Sequence, residues 1–152
     1  MSDSPLPLLL VIEDSDEDFA VLKRILEQIV EQDSLLCRID RCMTGDEALE
    51  YLLGKASSAS ETDLARLPSL ILLDLLLPGI DGAEVLRQVK QSDRLRSIPI
   101  VVLGGNMNQR EINSLYEQGI SGYIVKRVDG TKFRRNMQLF IEYWLIANRL
   151  PT

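Results

Sequence analysis

The chain has 152 residues, of which 45% are hydrophobic and 26% are charged, so it is long and apolar enough to bury a core as one globular domain. Its formal net charge of −6 argues against nucleic-acid binding, because that affinity comes from clustered Lys and Arg. The chain contains no histidine, which excludes Ser-His and Cys-His nucleophile pairs, zinc sites with histidine ligands and a phosphohistidine on this chain.

The sequence carries no targeting segment that we recognise. No apolar run approaches the roughly 20 residues of a membrane span, and Met-Ser-Asp-Ser-Pro at the N-terminus lacks the basic region of a secretory signal. We therefore expect a cytoplasmic protein with no membrane contact. Cys37 and Cys42 fall in one predicted strand at a spacing that puts them on opposite faces, which argues against a disulfide.

Buried-strand patterns and helical patterns alternate along the chain. The first half contains, in order, a strand at residues 8–12, a helix at 17–30, a strand at 35–42 and a helix that ends at Leu53. Thr44 and Glu47 have the spacing of a capping box at the start of that second helix. Residues 54–68 are rich in serine and are predicted as the one long loop.

The second half continues the alternation with a strand at residues 70–73, a helix at 83–91, a strand at 100–103, a helix at 109–118, a strand at 122–125 and a helix at 131–149. Five strand–helix units without a linker or repeat predict a doubly wound α/β sandwich. We expect one domain over 1–152, which the last helix and tail, 131–152, extend. The flavodoxin-like (βα)5 arrangement, a parallel five-stranded sheet in the order 2-1-3-4-5, is the natural choice.

Charged residues follow three of these strands. Glu13 and Asp14 follow the first strand, Asp74 follows the third and Lys126 follows the fifth. The carboxyl ends of parallel strands meet at one edge, and strands 1 and 3 flank the switch point of this sheet. Three carboxylates and one ammonium at that edge predict a pocket for a divalent cation and a phosphoryl group.

Crowded carboxylates repel one another, and a divalent cation removes that conflict. Mg²⁺ prefers six oxygen ligands, several of them water, so one or two carboxylates and phosphate oxygens suit it. Asp14 and Asp74 are the predicted direct ligands. Glu13 is expected to act through water, and the backbone carbonyl of Leu76 is a candidate for a further oxygen. Asp74 is the predicted nucleophile, with Lys126 holding an oxygen of the phosphoryl group that it accepts.

A Glu-Asp pair after a strand has a simpler interpretation as a solvated loop or a helix cap. Asp16 is a candidate for that cap. The joint pattern of Glu13, Asp14, Asp74 and Lys126 is far more specific than the pair alone.

These residues carry a family resemblance over essentially the whole chain. The matching segments are Leu-Val-Ile-Glu-Asp at 10–14, Leu-Leu-Asp-Leu-Leu-Leu-Pro at 72–78 with Asp81 and Gly82, Ile-Pro-Ile-Val-Val at 98–102, and Gly-Tyr-Ile-Val-Lys at 122–126. They resemble the receiver domains of two-component response regulators. The chain is most similar to the single-domain regulators of cyanobacterial and bacterial phytochromes, through residues 45–52, the Ser-rich loop, Ile112, Tyr116, 143–145 and Leu150-Pro151.

The resemblance implies that Asp74 accepts a phosphoryl group from a histidine of a partner kinase, of phytochrome type. It implies Mg²⁺ at Glu13, Asp14 and Asp74 and a phosphate contact from Lys126. It also implies a signalling domain rather than an enzyme, with at most slow autodephosphorylation.

Two positions depart from the family pattern. The family usually has Thr or Ser after the fourth strand, whose hydroxyl binds the phosphoryl oxygen, whereas Gly104 and then Gly105 stand here. Both glycines keep a backbone N–H for the phosphate but offer no hydroxyl. Arg127 stands where the family places Pro after the lysine, usually with a cis bond. A cis non-Pro bond costs about 3–4 kcal/mol, so a trans bond is expected.

The first departure bears on the conformational switch. Tyr123 matches the aromatic residue that swings inward when the hydroxyl is recruited, and with Gly104 we expect no force to draw it inward. Losing one charge-assisted hydrogen bond removes about 1.5–3 kcal/mol of coupling, whereas a two-state switch needs about 5 kcal/mol. The hypothesis is that phosphorylation survives while its conformational readout is weakened.

Leu76 follows the predicted phosphoacceptor by two positions and is apolar where the subgroup often carries a polar side chain. Simple loop packing and a shield that slows attack of water on the acyl phosphate both fit this residue.

The last helix has two apolar stripes at helical spacing. The core-facing stripe contains Phe133, Met137, Phe140, Ile141, Trp144 and Leu145, and the second contains Leu139, Tyr143, Ile146 and Leu150. An exposed apolar patch often marks a partner surface. We predict a twofold-symmetric dimer through the fourth helix, fifth strand and fifth helix, with the Leu150-Pro151 tail reaching across.

Two other classes of protein compete with the phosphoacceptor interpretation. A phospho-aspartyl hydrolase commonly needs a second aspartate two residues after its nucleophile, and Leu76 at that position counts against it. A receiver-like protein-interaction module that never carries phosphate is favoured by Gly104 and Arg127 and opposed by the acidic residues and Lys126.

Overall fold

Five parallel strands form one sheet in the computed structural model, which describes residues 6–33, 37–58, 60, 66–126 and 128–151. The strands are β1 (Leu8–Ile12), β2 (Arg38–Cys42), β3 (Leu70–Asp74), β4 (Ile100–Gly104) and β5 (Gly122–Val125). Their order is β2-β1-β3-β4-β5, which confirms the predicted flavodoxin-like topology. β1, β3 and β4 are buried along their whole length, as expected for strands covered on both faces.

Helices follow the strands in the described part of the chain. They are α1 (Asp16–Asp33), α2 (Gly45–Ser57), α3 (Gly82–Gln91), α4 (Gln109–Glu117) and α5 (Gly130–Ile141). Thr44, Asp81, Asn108 and Asp129 cap the last four, because each side chain accepts a hydrogen bond from the backbone N–H three residues later. The first helix is capped by Ser15, whose Oγ accepts from the Asp18 N–H at 3.2 Å, so the candidate cap at Asp16 was wrong.

Two hydrophobic cores lie on opposite faces of the sheet. One packs α2, α3 and α4 side chains against the sheet, and the other packs α1 and α5. Cys42 lies in the first core and Cys37 packs against the second, so the two thiols are free and on opposite faces, as predicted. None of the described helices has the length and apolar character needed to cross a membrane.

The second helix is longer than predicted. It passes through Gly54 and ends at Ser57. A glycine inside a helix costs about 1 kcal/mol relative to alanine, which is why a stop at Leu53 was expected. Ala56 on the following turn is buried in the first core, and this packing outweighs the cost. Of the predicted loop 54–68, residues 59 and 61–65 lie outside the described part of the chain.

The last helix also differs from the prediction. Its α-helical part ends at Ile141, and residues Glu142–Ala147 form a π-helical segment. The Asn148 N–H donates to the Tyr143 carbonyl at 2.7 Å, five residues back. Leu150 then packs against the second core, so its assignment to the exposed stripe was wrong.

Candidate functional site

Polar side chains from three strand ends meet at the carboxyl edge of the sheet. The Lys126 Nζ lies 2.7 and 2.8 Å from the two carboxylate oxygens of Glu13 and 2.7 Å from Oδ2 of Asp74. The Lys126 backbone N–H donates to the Gly104 carbonyl at 2.8 Å, which extends the β4–β5 pairing to the lysine. The sheet register thus brings together residues more than 100 positions apart in the sequence.

The acidic residues lie close enough to share one cation. One carboxylate oxygen from each of Glu13, Asp14 and Asp74 lies within 4.8 Å of the other two. Glu13 is 1% exposed and Asp74 is 2% exposed, whereas Asp14 faces solvent. Asp14 and Asp74 border a pocket of about 360 Å³, which Leu76, Gly104, Gly105 and Lys126 also line, and Glu13 lies beneath it against Lys126. Oxygen donors at this spacing fit a hard divalent cation.

Backbone N–H groups orient the two buried carboxylates. The Leu76 N–H donates to Asp74 Oδ1 at 2.9 Å, so both oxygens of Asp74 have a donor. The Ser15 N–H donates to Glu13 Oε1 at 2.9 Å. Gly82 allows helix α3 to approach this edge, because a Cβ there would lie 2.5 Å from the Asp74 carbonyl oxygen.

Burial and pairing shift the pKa values of the site in opposite senses. Burial raises the pKa of Glu13 to about 7, although the Lys126 ammonium and the Ser15 N–H favour the carboxylate. Burial alone would lower the pKa of Lys126, but hydrogen bonds to Asp74 and Glu13 outweigh it and raise that pKa above its usual value. The pocket therefore holds a firmly charged ammonium beside a carboxyl group that titrates near neutral pH.

Sequence reasoning missed two residues at the site. Asp18, in the first turn of α1, lies 3.1 Å from Lys126 Nζ and lines the pocket. Arg41, at the end of β2, donates from Nε to the Glu13 carbonyl at 3.0 Å and from NH1 to Asp16 at 2.7 Å. No spacing in the sequence singles out Asp18, because acids are common in the first turn of a helix. No sequence spacing indicates Arg41, because its contact depends on how β2 pairs with β1.

Tyr123 occupies the space that a side chain at position 104 would need. A Cβ on Gly104 would lie 2.6 Å from the Tyr123 Cζ and closer still to its hydroxyl oxygen. The hydroxyl donates to the Gly105 carbonyl at 2.6 Å, and the partly buried ring packs against the first core. The Gly105 carbonyl thus holds this ring without any hydroxyl at position 104, and the expectation that phosphorylation exerts no pull on the ring stays a prediction.

Two further residues were predicted at the site, Leu76 and Arg127. The side chain of Leu76 is 64% exposed at the rim of the pocket, so it does not pack into the loop. The structure shows its N–H in use, and a role for its carbonyl stays a prediction. Arg127 lies outside the described residues, and with it the predicted trans bond after Lys126.

A second, apolar depression of about 620 Å³ lies on the surface formed by α4, β5 and α5, here called the α4–β5–α5 groove. Its lining includes Tyr116, Tyr123, Leu139, Tyr143 and Trp144. Leu139, Tyr143 and the neighbouring Ile146 are about half exposed, so three of the four residues predicted for the second stripe face outward.

Known proteins share this sequence pattern. Residues 9–138 match the family described as the response regulator receiver domain. The chain is 34% identical to the probable methanogenesis regulatory protein FilR2 of Methanothrix harundinacea, over 95% of this chain and 87% of that protein. It is 31% identical to the response regulator Rcp1 of Synechocystis sp., over 99% of each chain.

Solved structures agree with this assignment. The Mn²⁺-bound form of Rcp1 superimposes with a TM-score of 0.83 at 29% identity, covering 96% of this chain and 99% of that one. The phosphorylated cyanobacterial phytochrome response regulator RcpA superimposes with a TM-score of 0.82 at 29% identity, covering 97% and 100%. This chain belongs to the response regulator receiver domain family.

Proposed function

We propose that this protein is a phosphoacceptor in a two-component signalling pathway and that Asp74 receives the phosphoryl group. The observation that carries the proposal is the position of Asp74, a buried carboxylate paired with Lys126 at 2.7 Å beside two further acids. A buried group of this kind is costly unless it serves a charged ligand, because like-charged carboxylates repel one another.

The chemistry follows from the groups around Asp74. A carboxylate oxygen of Asp74 attacks the phosphorus of a phosphohistidine on the partner kinase. The phosphorus–oxygen bond forms, the phosphorus–nitrogen bond breaks, and its electron pair returns to the imidazole. Lys126 is within hydrogen-bond distance of Asp74 and serves the oxygens of the transferred group as a point charge. The backbone N–H groups of Gly104 and Gly105 at the pocket wall are proposed as further donors.

Mg²⁺ is the proposed cofactor, held by Glu13, Asp14 and Asp74, with the Leu76 carbonyl as a further candidate ligand. The three carboxylates fit such an ion in donor type and in spacing. When bound, it supplies positive charge to the phosphoryl oxygens. The related Rcp1 was crystallised with Mn²⁺, which supports a divalent cation at the matching site.

We also propose that phosphorylation changes the shape of this receiver only weakly. Gly104 has no hydroxyl to recruit, and Tyr123 already fills the space beside it and hydrogen-bonds to Gly105. Phosphorylation therefore has no aromatic residue left to draw inward. Signalling then depends on phosphate flow or on recognition of the phosphorylated pocket itself.

A histidine kinase is the proposed phosphoryl donor, since the chain has no histidine of its own. A phytochrome-type kinase is favoured because RcpA is described as a phytochrome response regulator. A second copy of the chain is proposed to cover the α4–β5–α5 groove through Leu139, Tyr143 and Ile146. Leu150 is not included in the proposed interface, because its side chain packs against the second core.

Intact-mass spectrometry with Mg²⁺ and a small phosphodonor tests the central proposal. The wild type should gain one stable phosphoryl group and Asp74→Asn should gain none. Turnover of many equivalents without a stable adduct would indicate a hydrolase, and no reaction would indicate a receiver-like interaction module. Adding beryllofluoride, a phosphoryl mimic, should change Trp144 fluorescence little, because Trp144 shares the groove with an already fixed Tyr123.

A further inference from the structure

Three carboxylates surround the Lys126 ammonium, and they are not equivalent. Glu13 and Asp74 lie 2.7 Å from Nζ, and Asp18 lies 3.1 Å away. The ammonium donates hydrogen bonds to both oxygens of Glu13 and to Asp74, and Asp18 forms an ion pair with it. The lysine side chain is 17% exposed, and it is flexible enough to leave the pocket when its partners are lost.

Two of these carboxylates have a competing demand on them. Glu13 and Asp74 belong to the group close enough to share one cation, and Asp18 does not. A divalent cation between Glu13, Asp14 and Asp74 competes with Lys126 for the same oxygens and repels its positive charge. Of the three carboxylates that contact Lys126, only that of Asp18 stays fully available to the ammonium when such a cation is bound.

Local structure holds Asp18 in place. Its backbone N–H donates to Ser15 Oγ, and the Ser15 N–H donates to the Glu13 carboxylate. The turn that holds Glu13 against Lys126 therefore also holds Asp18 there. The Asp18 side chain is 30% exposed and lines the pocket, where it contacts Lys126 from the first turn of α1.

We propose that Asp18 is a positioning residue. It keeps Lys126 within reach of the phosphoryl group when Glu13, Asp14 and Asp74 bind a divalent cation. The inference rests on the proposed function, because Lys126 has to meet a phosphoryl oxygen. Asp18 itself touches neither the metal nor the phosphoryl group. Without it, Lys126 loses its uncontested partner and extends towards solvent whenever Mg²⁺ is present.

The test compares Asp18→Asn with Glu17→Gln, an exposed residue of the same helical turn whose change removes the same charge. In saturating Mg²⁺, Asp18→Asn should weaken beryllofluoride binding about tenfold, the scale of one charge-assisted hydrogen bond. Glu17→Gln should weaken it less than about twofold, because an exposed charge is screened by solvent and salt. Asp18→Glu, which keeps the carboxylate, should recover most of the affinity.

A second measurement follows Lys126 without any phosphoryl chemistry. Acetylation by a small reagent, located by mass spectrometry, reports how accessible the amine is, with the exposed Lys132 as internal reference. Adding Mg²⁺ should increase Lys126 acetylation in Asp18→Asn several-fold more than in the wild type or in Glu17→Gln.

Equal behaviour of Asp18→Asn and Glu17→Gln in both measurements would overturn the inference. So would tighter beryllofluoride binding by Asp18→Asn, since Asp18 would then be a competitor for Lys126. If the wild type bound no beryllofluoride, the proposed function would fail, and the acetylation result would still decide the role of Asp18.

Discussion

Replacing Gly104 by alanine tests how tightly Tyr123 is held against the β4–α4 loop. The added Cβ would lie 2.6 Å from Tyr123 Cζ, and ordinary contact begins near 3.4 Å, so the ring has to withdraw by about 1 Å. The hydroxyl now donates to the Gly105 carbonyl at 2.6 Å, and a withdrawal of that size breaks the bond.

The expected loss of stability follows from these contacts. A broken hydrogen bond costs about 0.5–1.5 kcal/mol, and forcing extra volume into a packed site costs about 1–3 kcal/mol. Gly104→Ala should therefore lower the free energy of unfolding by about 2–4 kcal/mol. For a domain of this size that corresponds to a fall in Tm of roughly 5–15 °C.

Gly105→Ala is the matched control. A Cβ at Gly105 has open space around it, and its φ is not in the left-handed region. The change should be neutral or stabilise by up to about 1 kcal/mol, because alanine restricts the unfolded chain. Urea unfolding of both variants, followed by circular dichroism, measures the difference.

A double-mutant cycle assigns the loss to Tyr123. In a Tyr123→Leu background the phenol is gone, so Gly104→Ala should cost less than about 0.5 kcal/mol. Equal stability of the Gly104 and Gly105 variants, or an undiminished loss beside Leu at position 123, would refute the reasoning.

Three further predictions concern the pocket and the groove. Burial raises the pKa of Glu13 from 4.5 to about 7, so the folded state binds a proton on Glu13 more tightly than the unfolded state does. The free energy of unfolding of the metal-free protein should therefore decrease as pH rises from about 5 to 8. Mg²⁺ competes with that proton, so the affinity of the protein for Mg²⁺ should fall up to about tenfold per pH unit below 7. Titration calorimetry measures this, and Glu13→Gln should remove the pH dependence. Lys126→Met leaves the buried carboxylates without their ammonium and should destabilise the metal-free protein by about 3–5 kcal/mol. In thermal unfolding, Mg²⁺ should restore much of this loss, and a variant as stable as the wild type would contradict the pairing. Light scattering should show a dimer that Leu139→Lys with Ile146→Lys converts to monomer, whereas a monomeric wild type at micromolar concentration would remove the dimer proposal.

The sheet and its acidic edge could be predicted because strand ends convert sequence position into spatial position. Once the apolar runs are recognised as parallel strands in the order 2-1-3-4-5, residues that follow β1, β3 and β5 must share one edge. Glu13 and Asp74 meet Lys126 there, and each lies within hydrogen-bond distance of its ammonium.

Other features depend on distances that no local pattern encodes. The passage of α2 through Gly54 accompanies the burial of Ala56 in the first core, and in the π-helical segment Trp144 and Leu145 pack against the second core. Asp18 lies in the first turn of α1. Acids are common there because a negative charge is stabilised by the helix dipole and by capping interactions. Its contact with Lys126 becomes visible only in the folded structure, where the residue after β5 lies 3.1 Å from this acid.

The carbonyls of Gly104, at the end of β4, and of the following Gly105 support the proposal that this receiver keeps its phosphoryl chemistry while its conformational readout is weak. The N–H of Lys126, directly after β5, donates to Gly104 at 2.8 Å, and the hydroxyl of Tyr123, in β5, donates to Gly105 at 2.6 Å. These bonds tie the loop to β5 before any phosphate arrives, and together they oppose its movement by about 1–3 kcal/mol. No hydroxyl at position 104 pulls against them, so on this proposal a phosphoryl group on Asp74 would gain too little from moving the loop to supply the roughly 5 kcal/mol of a full switch. The same residues leave Lys126 and the acids of the pocket in place, so transfer of the phosphoryl group does not need the loop to move.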